Sequence, residues 1–211
     1  QSRPLASSKL TILKACVTLV VLLLIGLLIL INLNMPSIVL GFLIIPLVIL
    51  YPLAKRFFAL PQLILAMTYN WGCIIGWVAI SSPYNFNNIF ILYLSLVIWT
   101  IVYDTIYAVQ DEKEDRKMNL YSTALLFGSK KLLILNSLII IQYFLLIVFG
   151  YKMDYGIIFY VIVALISLLN LRDINFLWKN EAQKSGLYFK RNNYYGFLIL
   201  LSIIIGSQFN V

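Results

Sequence analysis

Long uncharged stretches separated by short polar breaks run the length of this chain. They extend from Ala15 to Ala54, Phe57 to Tyr103, Leu132 to Tyr151, Tyr155 to Leu171 and Asn192 to Val211. A helix needs about 20 apolar residues to cross a bilayer, so each of the first two stretches is long enough for two crossings. Each also carries a break near its middle. "NLNMPS" (32–37) and "SSPYNFNN" (81–88) gather Pro, Asn and Ser, the residues that end helices and open turns. The pattern predicts an all-α polytopic membrane protein with about seven transmembrane helices in one domain, 1–211. The predicted spans are 12–31, 37–54, 61–80, 88–109, 132–151, 155–171 and 193–209, with a polar loop at 110–131.

Composition agrees. The chain is 62% hydrophobic and 11% charged, against roughly 25% charged in a soluble domain. Of the 16 Lys and Arg, all but Lys152 fall on alternate loops of the seven-helix arrangement. Cytoplasmic loops collect cations, so the N-terminus and the polar loop are expected on the cytoplasmic or matrix side and the C-terminus opposite. Topology thus accounts for the net charge of +8, and no nucleic acid partner is expected. The chain has no His, which removes imidazole chemistry. Cys16 and Cys73 lie far apart inside apolar runs and read as packing residues rather than a redox or zinc pair. The first apolar run lacks a small-residue cleavage pattern and leads straight into a second span, so it reads as a retained helix.

Charge is scarce, yet "YDTIYAVQDEKED" (103–115) holds Asp104, Asp111, Glu112, Glu114 and Asp115 out of 8 acidic residues. Asp104, Asp111 and Asp115 share one face of a helix that continues through them. Like charges so spaced repel unless a cation sits among them, and oxygen donors suit a hard ion such as Mg²⁺. Read alone, "DEKEDRK" (111–117) is equally a solvated loop whose charges cancel. Asp104 alters the balance because it follows an apolar run with no linker, where an ionisable side chain is expensive and points to function. On the same membrane side, "YPLAKRFFALPQ" (51–62) places Lys55 and Arg56 at a helix end. The positive-inside bias alone supplies such a pair, but carboxylates for a metal, cations for a phosphate and apolar walls also describe a site for a lipid diphosphate.

"WTIVYDTIYAVQDEKEDRKMNLYSTALLFG" (99–128) resembles the second aspartate-rich region of the UbiA superfamily of intramembrane prenyltransferases, in its 4-hydroxybenzoate polyprenyltransferase branch. "SRPLAS" (2–7) resembles the segment following that family's first aspartate motif, and 51–80 is similar to its next loop and helix. The resemblance implies a nine-helix bundle, of which this chain corresponds to the last seven, and transfer of a polyprenyl group from polyprenyl diphosphate to 4-hydroxybenzoate in ubiquinone synthesis. Carried over by position, Asp111 and Asp115 with Asp104 would bind Mg²⁺, and Asp111, Asp115 and Arg56 would be catalytic. Lys55, Arg56 and Arg3 would contact the diphosphate, while Asn70, Tyr103 and Tyr107 would line the cavity, and the inner membrane of a bacterium or a mitochondrion is the location the resemblance implies.

The sequence opens on Gln1, downstream of where the first motif would stand, so an N-terminal part is expected to be missing and catalysis by this chain alone incomplete. Within the motif region Asn119 and Tyr121 stand where the family has Gly and Lys, and Glu114 where it has Asp; near the start, Ser8 stands in place of Gly. Two other readings stay open: an inactive remnant of such an enzyme, and a small polytopic transporter using Asp104 for a cation.

Overall fold

The computed structural model describes residues 7, 10–81, 85–179 and 185–208. Among them every regular element is helical. Among the described residues, six stretches are long and apolar enough to cross a membrane: Ile12–Ile31, Met35–Ala54, Pro61–Ile80, Phe86–Lys117, Thr123–Lys152 and Ile157–Phe176. Helix α1 (Ile12–Ile31) starts at Thr11, whose side chain accepts the Lys14 N–H. The break at 32–37 then does its work. Asn34 caps α2 (Met35–Leu43) by accepting the Ser37 N–H, and its amide donates to Val78 O at 2.7 Å. The span expected at 37–54 is two helices, α2 and α3 (Ile45–Ala54), parted at Ile44. Pro46 lies at the opening of α3, where its ring offers no N–H and crowds the carbonyl four residues back.

Helices α4 (Pro61–Ile80) and α5 (Phe86–Ala108) follow. α5 is the hub, packing against α4, α8 (Lys131–Lys152) and α10 (Ser185–Gln208). α9 (Ile157–Lys179) closes on α8 and α10, whereas α1 touches the bundle through α2 and buries none of its residues. A lipid-facing helix needs no such burial, because the bilayer solvates its apolar side chains and its backbone is satisfied internally. Leu135, Ile139, Leu146, Phe159 and Val163 sit in the larger core between α5, α8, α9 and α10; Ala66, Ile74, Tyr93 and Val97 form a smaller one between α4 and α5.

Helices α9 and α10 run beyond the ranges expected at 155–171 and 193–209, of which residue 209 lies outside the described residues. Hydropathy marks where the hydrocarbon stops, and backbone hydrogen bonding continues past that point. The polar ends that result pair with each other. Arg191 donates to Asp173 at 2.9 Å, and the Tyr195 hydroxyl donates to the same carboxylate at 2.8 Å. Deeper, the Asn170 amide donates to the Tyr143 hydroxyl while its oxygen accepts from Tyr188, tying α8, α9 and α10 together. At the opposite end, Gly150 lets α9 approach so closely that a Cβ there would strike the Phe159 ring.

Candidate functional site

The loops between α3 and α4 and between α5 and α8 meet at one end of the bundle. α3 ends at Ala54, Lys55 follows, and Pro61 opens α4 where a missing N–H costs nothing. α5 carries Asp104 one turn before its end at Ala108. Past it the expected continuous helix tightens into a 3₁₀ turn at Val109–Asp111, and a short helix, α6 (Glu112–Lys117), takes over. This tightening changes the rotation per residue, so the three aspartates do not stack as on one straight helix.

Asp115 is almost fully buried, 3% exposed, and faces Lys55, whose ammonium donates to both carboxylate oxygens at 3.3 and 3.4 Å. The pair joins the two loops, and the Tyr121 N–H reinforces it by donating to the Lys55 carbonyl at 2.8 Å. Glu112 turns the other way and accepts from Lys131 of α8 at 2.6 Å. The chain then reverses at Asn119, φ 50°. That left-handed conformation suits Gly and is tolerated by Asn, so Asn119 meets the demand that the resemblance had assigned to Gly. Ser122 caps α7 (Thr123–Phe127) through the Leu125 N–H, and Gly128 (φ 50°) leads into α8.

Between the loops lies a cavity of about 280 Å³ lined by Tyr51, Pro52, Lys55, Pro61, Gln62 and Asp104. Lys55, Asp104 and Asp115 are therefore brought together from distant parts of the sequence, the first two lining the cavity and the third paired to Lys55. Asp111, at the end of the 3₁₀ turn, is partly buried. Among the described residues no three Asp, Glu or Cys side chains gather closely enough to hold a metal by themselves. Arg56, next to Lys55 in the chain, is exposed. Arg3 lies outside the described residues. Asn70 directs its amide between helices, to Ala66 O, Leu96 O and the Thr100 hydroxyl. Tyr103 packs edge-on against Trp99 and Phe189, and Tyr107 tilts against Phe189, so both face α10.

Two participants escaped the sequence reading. Gln62 is buried, and its side-chain oxygen accepts the Thr123 N–H at 3.0 Å. Thr105 is buried too, its hydroxyl 2.6 Å from that of Thr123. A single Gln after Pro at a span's edge, or a Thr in an apolar run, carries no signal of its own.

Helical membrane architecture with paired loops of this kind places the chain among polytopic integral membrane proteins. It belongs to the UbiA prenyltransferase family, whose pattern it matches over residues 1–200. It is similar to the mitochondrial 4-hydroxybenzoate polyprenyltransferase of Drosophila pseudoobscura pseudoobscura, 37% identical over 98% of this chain and 52% of the relative. It is also similar to the 4-hydroxybenzoate octaprenyltransferase of Haemophilus ducreyi, 32% identical over 97% of this chain and 73% of the relative. The chain spans about half the length of the insect relatives it matches. In fold it resembles the apo structure of a UbiA homolog from Aeropyrum pernix K1, with a TM-score of 0.78 at 24% identity, covering 97% of this chain and 76% of the other. A digeranylgeranylglyceryl phosphate synthase structure gives a TM-score of 0.69 at 21% identity, covering 98% and 74%. UbiA prenyltransferases are generally metal-dependent.

Proposed function

We propose that this chain carries the second aspartate motif and most of the helical cavity of an enzyme that transfers a polyprenyl group from polyprenyl diphosphate to 4-hydroxybenzoate. The observation that carries the reading is the convergence of Asp104, Lys55 and Asp115 at one end of the bundle, in a chain related to enzymes named for that reaction. Lys55 and the exposed Arg56 bind and orient the diphosphate and stabilise the negative charge that builds on it as its bond to the allylic carbon breaks. The ring carbon ortho to the acceptor hydroxyl bonds to that carbon, and loss of the ring proton restores aromaticity. The isoprenoid tail lies along apolar helix faces open to the bilayer.

Asp111 and Asp115 would hold Mg²⁺ together with Asp104, which requires Lys55 to leave Asp115 for the diphosphate. The donors fit this ion: they are all oxygens, and Mg²⁺ characteristically takes one or two carboxylates and fills its remaining positions with water and substrate phosphate. When bound, it neutralises charge on the leaving diphosphate. The acidic loop faces the cytoplasm or matrix, where the diphosphate head of the membrane-held donor and the charged acceptor meet water.

The test is an incubation of membranes with Mg²⁺, a polyprenyl diphosphate and labelled 4-hydroxybenzoate. Little or no product is expected from the 211 residues alone, and turnover is expected once the N-terminal segment of a relative is co-expressed. Asp111→Asn should then abolish it; turnover that survived this change would remove the metal assignment.

A further inference from the structure

Gln62 is 2% exposed, a polar side chain sealed at the start of α4. A buried carboxamide must place both its acceptor and its donors. Its oxygen accepts the N–H of Thr123, the first residue of α7. That N–H has no partner inside its own helix, and the Ser122 hydroxyl is already taken by Leu125. Gln62 thus supplies, from a distant helix, an acceptor for the first N–H of α7. Using the oxygen this way turns the NH₂ group toward the cavity, where the Asp104 carboxylate lies. Thr105, next to Asp104 and wholly buried, meets the Thr123 hydroxyl and closes the same junction.

We propose that Gln62 is a positioning residue that docks the start of α7 against α4 and α5, and so sets the acidic loop at its working distance from Asp104 and Lys55. The functional half of this rests on the prenyl-diphosphate reading above; the docking half does not. Two variants remove the contact from opposite sides. Gln62→Met keeps the length of the side chain and loses its acceptor. Thr123→Pro deletes the donor at a position where helices accept Pro, after a Ser122 that is already extended, φ −156° and ψ 153°.

In the detergent-solubilised chain, trypsin cleavage after Lys113, Arg116 and Lys117, all exposed on α6, should run about fivefold faster in either variant. The double variant should be no faster than Thr123→Pro alone, because that change already removes the Gln62 contact, together with the hydroxyl contact to Thr105. An unchanged rate in a folded single variant, or a multiplied rate in the double, overturns the proposal; if Gln62→Met does not fold, Thr123→Pro decides against Thr105→Val, which loses only the hydroxyl contact and should be cleaved more slowly than Thr123→Pro. Tryptophan fluorescence titration with geranyl diphosphate and Mg²⁺ should show about tenfold weaker binding in both singles at an unchanged unfolding midpoint. Faster cleavage with unaltered binding would refute the positioning role. The titration is made with the N-terminal segment of a relative co-expressed; if the parent chain so supplied binds no diphosphate, the functional reading fails while the cleavage comparison still decides the docking.

Discussion

Lys55 and Asp115 stand sixty positions apart in the chain, and their contact is the ionic link between the two loops that frame the cavity. Breaking a fully buried pair from one side costs about 3–5 kcal/mol because a charge is left without compensation. Lys55 is 39% exposed along its side chain, which lets water reach the ammonium and lowers the expected cost of Lys55→Met to about 1–2 kcal/mol. The midpoint of thermal unfolding in detergent measures it. Lys55→Met combined with Asp115→Asn should recover most of the loss, because the stranded charge is then gone. Sequence made Lys55 and Asp115 candidates separately, through a helix-end cation and an acidic run. Nothing in either run announced that they pair, since a charge pair is a property of distance in the folded chain.

At the level of elements, polar side chains in the middle of apolar helices decide which helices stay together. Asn170 is wholly buried and holds Tyr143 of α8 and Tyr188 of α10 at once. Apolar burial cannot drive association between helices already in lipid, so such contacts and close packing do it, each hydrogen bond contributing about 0.6–2 kcal/mol. Asn170→Leu should therefore loosen α10, costing about 1–3 kcal/mol by the same accounting for two bonds. Hydrogen exchange should show it, with faster amide exchange in α10 and little change in α4. Close packing at the far end has an equivalent test. Gly150→Ala should destabilise the α8–α9 hairpin by about 1–3 kcal/mol through overpacking against Phe159, read as a lower unfolding midpoint. The helix boundaries reveal a related division. Asn34 was readable within a break, whereas the parting before Pro46, inside a span expected as one helix, was not, and neither was the extension of α9 to Lys179, where Arg191 and Tyr195 reach Asp173 from another helix.

For the whole molecule, charge and hydropathy make a directional prediction. With Cys16 and Cys73 replaced, Cys introduced at Lys117 should react with an impermeant maleimide only from the cytoplasmic or matrix side, and Cys at Lys152 only from the other. The reverse pattern would invert the assignment. The alternation of apolar spans and cationic loops was sufficient for a helical membrane bundle, because the bilayer imposes span length, internal backbone hydrogen bonding and charge sidedness on each segment independently. The identity of the acidic loop and its neighbour at 51–62 was likewise local information. Only the tertiary structure decided that Asp115 is met by Lys55, that Gln62 reaches Thr123, that Asn70 bonds within the α4–α5 interface and that Tyr103 and Tyr107 turn toward α10. These choices depend on the rotation of each helix about its axis, which side-chain packing sets and which a nearly all-apolar sequence, lacking a strong polar face, does not encode segment by segment.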